Sequence, residues 1–383
     1  MPIIDTSAAL AAACKRFARH PYVAVDTEFM RETTYWSRLC LVQLAADGEA
    51  AAIDPLADGI DLDPFYELLA RADVVKVFHA ARQDLEIFHH ERGVVPAPLF
   101  DTQVAAMVCG YGDSVGYEKL VRDLAGARID KSSQFSDWAR RPLRPRQVDY
   151  ALSDVVHLCP VFEKLSAMLK RSGRESWLDE EMATLADPRT YEPPLEDAWR
   201  RIKTRNRSGR FLAILRELAA WREGEAQRRD RPRNRVLRDE VLRAIAGEAP
   251  RSIAELKQVR SFPQAMAERR EAGDILEAVA RGLAVDDKEV PRVEPRGAPR
   301  ASAALIELLR ALLRMKSEQH DVAQKLIAGA EDLERIARAD GEADVPALHG
   351  WRRELFGEDA LALKRGEIAL TVSDGRLATV PSR

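Results

Sequence analysis

Short apolar runs at residues 22–25, 39–44 and 74–78, each bounded by turn residues, alternate with helical patterns at 64–69 and 85–90. That rhythm predicts an α/β domain over the first 170 residues. The runs at 39–44 and 50–53 are separated only by Ala45-Ala46-Asp47-Gly48-Glu49. An Asp-Gly pair in so short a gap predicts a tight hairpin, and therefore a mixed sheet. From Pro193 the strand signals stop and apolar positions recur every three or four residues, as in Phe211, Ile214, Leu215 and Leu218, or Leu237, Val241 and Ile245. This period belongs to helices packed by one face. Ser252 and Glu255 have the spacing of a capping box and mark one helix start. The stretch 285–300 carries Pro291, Pro295 and Pro299 among charges, has little to bury, and reads as an extended linker. Beyond it a helix with Leu305, Leu308, Leu309 and Leu312 opens a third module that ends in a short hairpin at Asp374-Gly375.

Composition changes this picture little. The 383 residues are 46% hydrophobic and 32% charged, which is globular usage, and too many for one compact core. No window approaches the roughly 18 apolar residues of a membrane span. The opening Met1-Pro2-Ile3-Ile4-Asp5 lacks the basic and apolar regions of a secretion signal, so a cytoplasmic location is expected. Cys14, Cys40, Cys109 and Cys159 are scattered singly in apolar runs and read as reduced core thiols. The net charge of −3 conceals an asymmetry: residues 195–240 hold fourteen Lys or Arg against eight Asp or Glu. The third module has no comparable excess, which points to a structural role.

The candidate chemistry is acidic. Val23-Ala24-Val25-Asp26-Thr27-Glu28-Phe29 is a buried-strand pattern that ends in two carboxylates. Residues i and i+2 of a strand share a face, so Asp26 and Glu28 can grip one cation, although strand-end acids also serve as solvated caps. Asp84 opens a helix after the 74–78 strand, where it either joins a ligand site or complements the helix dipole. Tyr150 and Asp154 lie one helical turn apart on one flank of a stripe through Ala151, Val155, Leu158 and Phe162. That spacing can present a phenol and a carboxylate to one site.

In this order and context, Asp26, Glu28, Asp84, Tyr150 and Asp154 resemble the DEDD exonuclease superfamily, in the subtype with Tyr four residues before the last Asp. Flanking residues narrow the resemblance to the ribonuclease D family. They are Asp26–Arg31, Thr34-Tyr35-Trp36, Leu39–Gln43, His79–Glu86, Phe100-Asp101-Thr102-Gln103 and Ser136–Leu143. One departure is Ser37, where the family pattern has Pro after the aromatic pair.

The resemblance implies a ribonuclease H-like mixed sheet with flanking helices, followed by all-α HRDC-type domains that bind nucleic acid. The expected layout is a 3′-5′ exonuclease domain at 1–170, a connector at 171–195, an HRDC-type domain at 196–285, a linker at 286–300 and a second HRDC-like domain at 301–383. It also implies hydrolysis of RNA from the 3′ end to nucleoside 5′-monophosphates in the maturation of tRNA precursors with 3′ extensions. No membrane and no required protein partner are expected. By resemblance, Asp26, Glu28 and Asp154 hold one divalent cation and Asp26 with Asp84 a second, the all-oxygen set suiting Mg²⁺ or Mn²⁺. Tyr150 then orients the attacking water or accepts its proton, positioning being the simpler role for a phenol.

Substrate contacts stay open. Thr27 and Phe29 flank the metal ligands and touch the terminal nucleotide in the family, but alternation equally makes Phe29 a core residue. His79 is a substrate contact or a satisfied strand-end histidine, and Asp101 a helix cap before a substrate residue. Arg128 and Lys131 meet phosphate or solvent. Arg229, Arg231 and Arg233, in the basic run 228–235, follow a phosphate backbone or form a solvated charge run. Two other readings share these motifs: a DNA 3′-5′ exonuclease of the same superfamily, and a non-catalytic RNA-binding protein that keeps the scaffold.

Overall fold

The structure is a computed structural model that describes residues 3–130, 132–206, 208–291, 302–339 and 341–382. Most of the linker expected at 286–300, and Lys131, lie outside them. The described chain forms two compact units, one of 1–28, 40–187 and 299–383, the other of 29–39 and 188–298.

In the first unit, α1 (Ser7–Phe17) precedes β1 (Tyr22–Met30), β2 (Arg38–Ala46) and β3 (Glu49–Ile53). Then α2 (Asp63–Ala70), β4 (Val75–Phe78), α3 (Arg82–Arg92), β5 (Leu99–Asp101), α4 (Thr102–Val108) and α5 (Tyr117–Leu120) follow. The sheet order is β3-β2-β1-β4-β5, with β1, β4 and β5 parallel and β3 antiparallel to β2, so it is mixed, as Asp47-Gly48 predicts. Asp47 and Gly48 both take positive φ, 44° and 79°, the backbone of a hairpin turn whose twist matches the strands. β1 is central, and Val23, Ala24 and Val25 are fully buried, which explains an apolar run without alternation.

The 28-residue α6 (Pro145–Ser172) packs across the sheet through Ala151, Val155, Leu158, Val161 and Leu165. Gly173, at φ 66°, stops it. The expected connector contains a helix, α7 (Glu175–Ala186), whose Met182 is buried and accepts from the Asp101 amide at 3.2 Å.

The second unit is helical around α8 (Gly209–Arg228), α9 (Arg233–Val236), α10 (Asp239–Glu248), α11 (Ile253–Gln258) and α12 (Arg270–Ala284). Phe211, Ile214, Leu215, Leu218, Leu237, Val241 and Ile245 form its core, as the periodicity requires, and Ser252 caps α11 through the Glu255 amide. At Gly282 a Cβ would sit 2.5 Å from the Ile214 Cα, so α12 approaches α8 as closely as only glycine permits. Gly282→Ala is therefore expected to lower the stability of this unit by about 1–3 kcal/mol, overpacking outweighing the roughly 1 kcal/mol of helix propensity gained. Thermal unfolding followed by circular dichroism measures it.

The C-terminal segment has α13 (Ala303–His320), α14 (Gln324–Ile327), α15 (Ala330–Arg338), α16 (Gly350–Arg352), α17 (Glu358–Arg365) and a hairpin of β6 (Ile368–Ser373) and β7 (Arg376–Pro381). The hairpin turns at Asp374-Gly375, as expected. Leu309 and Leu312 are buried but Leu308 is exposed, because the core stripe of α13 runs through Leu309, Leu312, Leu313 and Met315. Rather than stand apart as a further module, this segment belongs to the first unit. Trp351 stacks on Trp177 at 4.4 Å and 8°, Arg352 meets Glu180 at 2.9 Å, and the Ala323 amide donates to the Met107 carbonyl at 3.0 Å.

Candidate active site

Asp26 and Glu28 are delivered by the end of the central strand, and the buried hydroxyl of the intervening Thr27 donates to the Asp84 carboxylate. Asp84 sits in the first turn of α3 and is itself buried. The turn that brings it there contains Ala80 at φ 59°, a left-handed backbone that a non-glycine residue adopts only when held. Asp101 holds it. Its buried carboxylate accepts from the Ala80 and Ala81 amides at 3.0 and 2.8 Å while capping α4 through the Gln103 amide at 2.8 Å. The cap expected of Asp101 thus also fixes the approach of Asp84.

Tyr150 and Asp154 project from α6 and line one cavity of about 340 Å³ with Asp26, His79, Tyr117 and Gln134. Glu28 and Asp84 are not among its lining residues but are close enough to act on Asp26 electrostatically. Asp26 is held protonated well above the usual carboxylate range by burial first, then by the negative charges of Asp84, Asp154 and Glu28. Glu28 is pushed up to about 9 by burial, then by Asp154 and Asp84. Asp84 rises to about 7 through burial, against the hydrogen bond from Thr27. The Tyr150 phenol is raised by burial, then by Asp154, Glu28 and Asp26, and so keeps its proton.

Among the described residues no Lys or Arg lines the cavity. His79 does not compensate either, because burial lowers its pKa and leaves it neutral. Its Nδ1 lies 3.0 Å from the Thr102 hydroxyl, which donates to the Phe78 carbonyl at 2.9 Å. Nδ1 is therefore the protonated ring nitrogen and Nε2 the acceptor. A partly buried cluster of carboxylates, with no Lys or Arg among the described lining residues, is the donor chemistry that hard divalent cations neutralise. Among the described residues no three Asp, Glu, His or Cys side chains form a ready-made cage. The carboxylates influence one another across the site without closing around a point.

The motif residues around the site act as a frame. Trp138 is buried, with its ring 6.1 Å from that of Tyr150. Arg141 binds both oxygens of Asp54 at 2.6 Å and the Cys40 carbonyl at 2.6 Å, tying the 136–143 loop to β2. Tyr117 and Gln134 were not anticipated. Tyr117 donates to the Asp154 backbone carbonyl and packs on His79 at 5.1 Å. A single aromatic after Gly116 has no periodicity to set it apart from a core residue.

The basic run at 228–235 is placed differently from the phosphate-following reading. Arg229 pairs with Glu225 and, at 2.7 Å, with Glu271. Arg233 pairs with Glu223 at 2.5 Å and covers the Tyr35 ring at 4.7 Å. Asp230 accepts from the Tyr35 and Trp36 amides at 3.0 and 2.9 Å. Here Arg233 and Asp230 hold the 29–39 segment within the helical unit, Arg229 ties α8 to α12, and Arg231 alone of the trio is exposed. Buried glutamates recruit arginines more strongly than solvent does, and their spacing on α8 was invisible beside the run itself. Phe29 is half-buried in the same unit.

Residues 1–170 match the family described as 3′-5′ exonuclease and residues 211–279 the HRDC domain. The chain is 53% identical over 380 residues to ribonuclease D of Nitrobacter hamburgensis, covering 99% of both chains. It is 51% identical to ribonuclease D of Granulibacter bethesdensis, over 98% of this chain and 95% of that one. The crystal structure of Escherichia coli RNase D, described as an exoribonuclease involved in structured RNA processing, superposes with a TM-score of 0.81 at 31% identity, over 95% of this chain and 98% of that one.

Proposed function

The chain belongs to the ribonuclease D family of 3′-5′ exonucleases, and from that premise we propose that it trims RNA, tRNA precursors with 3′ extensions in particular, releasing nucleoside 5′-monophosphates in the cytoplasm. The observation that carries this reading is the cluster of four carboxylates, in which burial and the charges of the other acids raise Asp26 and Glu28, beside a cavity with no Lys or Arg among its described lining residues and with a protonated phenol in its wall.

Asp26, Glu28 and Asp154 would hold one Mg²⁺ or Mn²⁺, and Asp26 with Asp84 a second. Such a pair of cations supplies a more acidic water and stabilisation of the leaving 3′ oxygen. Water then attacks the terminal phosphorus, the bond to the 3′ oxygen breaks, and that oxygen takes up a proton to become the new 3′ hydroxyl. Tyr150, holding its proton, donates a hydrogen bond that orients water or a phosphate oxygen. His79 offers Nε2 as an acceptor for a sugar hydroxyl, a contact through which RNA is told from DNA. The Thr27 hydroxyl is occupied by Asp84, which leaves its backbone for the substrate. Phe29 remains a stacking candidate, and Arg231 is the exposed basic contact that remains of its trio. In this reading 1–170 cut, 171–195 connect, 196–285 hold RNA, 286–300 link and 301–383 brace the catalytic part.

A time course on a 5′-labelled, 3′-extended tRNA transcript, with a matched DNA competitor and with chelator, tests the proposal. Stepwise shortening that needs the cation and survives DNA competition supports it. Transcript that stays intact but shifts on a native gel leaves a binding protein, and preferential loss of the DNA leaves a DNA exonuclease.

Because Asp101 secures the strained turn before Asp84, Asp101→Ala is expected to cut kcat by roughly tenfold or more, as loss of the support behind a metal ligand does. Removal of the α4 cap should also cost about 1 kcal/mol of stability. Single-turnover kinetics and thermal melting measure the two separately.

A further inference from the structure

Beside the cavity lies a feature that the catalytic residues do not use. Phe135 is 95% exposed and is the one aromatic among the exposed large hydrophobic side chains of the described residues, the others being Val, Leu and Ile. Isolated apolar residues on a surface are ordinary, so exposure alone says little. Position says more. Phe135 directly follows Gln134, which lines the cavity with Asp26, Tyr150 and Asp154, and consecutive Cα atoms lie only about 3.8 Å apart.

The loop that presents the ring is built, not slack. Ser133 is buried, the Ser136 amide donates to the Ser133 carbonyl at 3.1 Å, and the Asp137 side chain accepts from the Ala139 amide at 3.1 Å. Trp138 is buried against Tyr150, and Arg141 is fastened to Asp54. The frame on both sides of Phe135 is anchored while its ring is given to solvent. The described cavity wall is acidic and holds no Lys or Arg, so a contact that does not depend on charge would add to whatever hold the cations give an entering polyanion. Stacking of a base on an aromatic face is such a contact and tolerates any sequence.

We propose that Phe135 is a nucleobase-stacking residue for the RNA chain just upstream of the 3′ nucleotide being removed. The proposal rests on the RNA-trimming function given above and adds a substrate contact to it.

The test uses the full chain, Mg²⁺ and a 5′-labelled single-stranded RNA, with Phe135→Ala and Phe135→Trp beside the wild type. Phe135→Ala should raise KM by about tenfold or more, the equivalent of one base–aromatic stack, while kcat at saturating RNA stays within about twofold. Phe135→Trp should restore the KM. An abasic nucleotide walked through the positions upstream of the 3′ end should weaken wild-type binding at one position and have no further effect there in Phe135→Ala, the coupling expected of two groups in contact. An unchanged KM in Phe135→Ala, or an abasic penalty as large in the variant as in the wild type, overturns the assignment. So does an unchanged KM accompanied by loss of concentration-dependent self-association, which would give the ring to a second copy of the chain. A wild-type protein that shortens DNA but no RNA overturns the proposed substrate class, and the RNA contact with it.

Discussion

Asp26→Asn is expected to end mononucleotide release, lowering kcat by more than about 10²-fold, the upper range for losing merely an outer partner of a metal ligand. Asp26 has the largest share of the acidic field: it lines the cavity, and its carboxyl is acted on by Asp84, Asp154 and Glu28 together. Asparagine keeps the shape but removes the charge that a cation needs, so the variant should stay folded and still bind RNA. Two measurements check this. Single-turnover cleavage with Mg²⁺ reads the chemistry, and isothermal titration of Mg²⁺ reads the cation affinity. A variant that keeps cation affinity and more than a tenth of the rate would remove Asp26 from the centre of the site.

Glu28→Gln is expected to stabilise the metal-free protein while inactivating it. The sign follows from the direction of the shift. A carboxyl whose folded pKa is raised contributes stability that is fully present below its ordinary pKa and is lost as the pH rises through the folded value. For Glu28 that window runs from 4.5 to about 9, and for Asp84 from 3.8 to about 7. In chelator, the melting temperature of the wild type should therefore fall from pH 5 towards pH 9, and that of Glu28→Gln should fall less. A pKa rise of one is worth about 1.4 kcal/mol, so even a quarter of the Glu28 rise amounts to roughly 2–4 °C or more in a unit of this size. Adding Mg²⁺ should reverse the order, because a cation that binds the ionised set stabilises only the folded wild type. Scanning calorimetry across pH, with and without Mg²⁺, decides it. Equal pH profiles for the two proteins would mean that Glu28 is not held in repulsion.

The sequence itself determined the α/β character of the first 170 residues and the helical region after them, because apolar period and turn chemistry are local properties. The Asp47-Gly48 and Asp374-Gly375 hairpins could be read for the same reason. So could the placing of Asp26 and Glu28 on one strand, Asp84 in the first turn of a helix, and Tyr150 and Asp154 on another, since strand and helix spacing is local too. Tertiary structure alone decided what surrounds them. Asp101 reaches back across the sheet edge to hold Ala80, Tyr117 packs on His79, and Trp138 backs Tyr150. None of these pairs is near in sequence, and a lone polar or aromatic residue carries no period.

The arginines at 229 and 233 show the same limit from the other side. Their charge was plain in the sequence, but their partners Glu223, Glu225 and Glu271 are assigned by the burial of one face of α8 and of α12. Burial likewise set the protonation of the site, raising Glu28 and Asp84 far above solution values. It is a property of the packed chain: removing water from a charge costs free energy only where the fold has excluded the water.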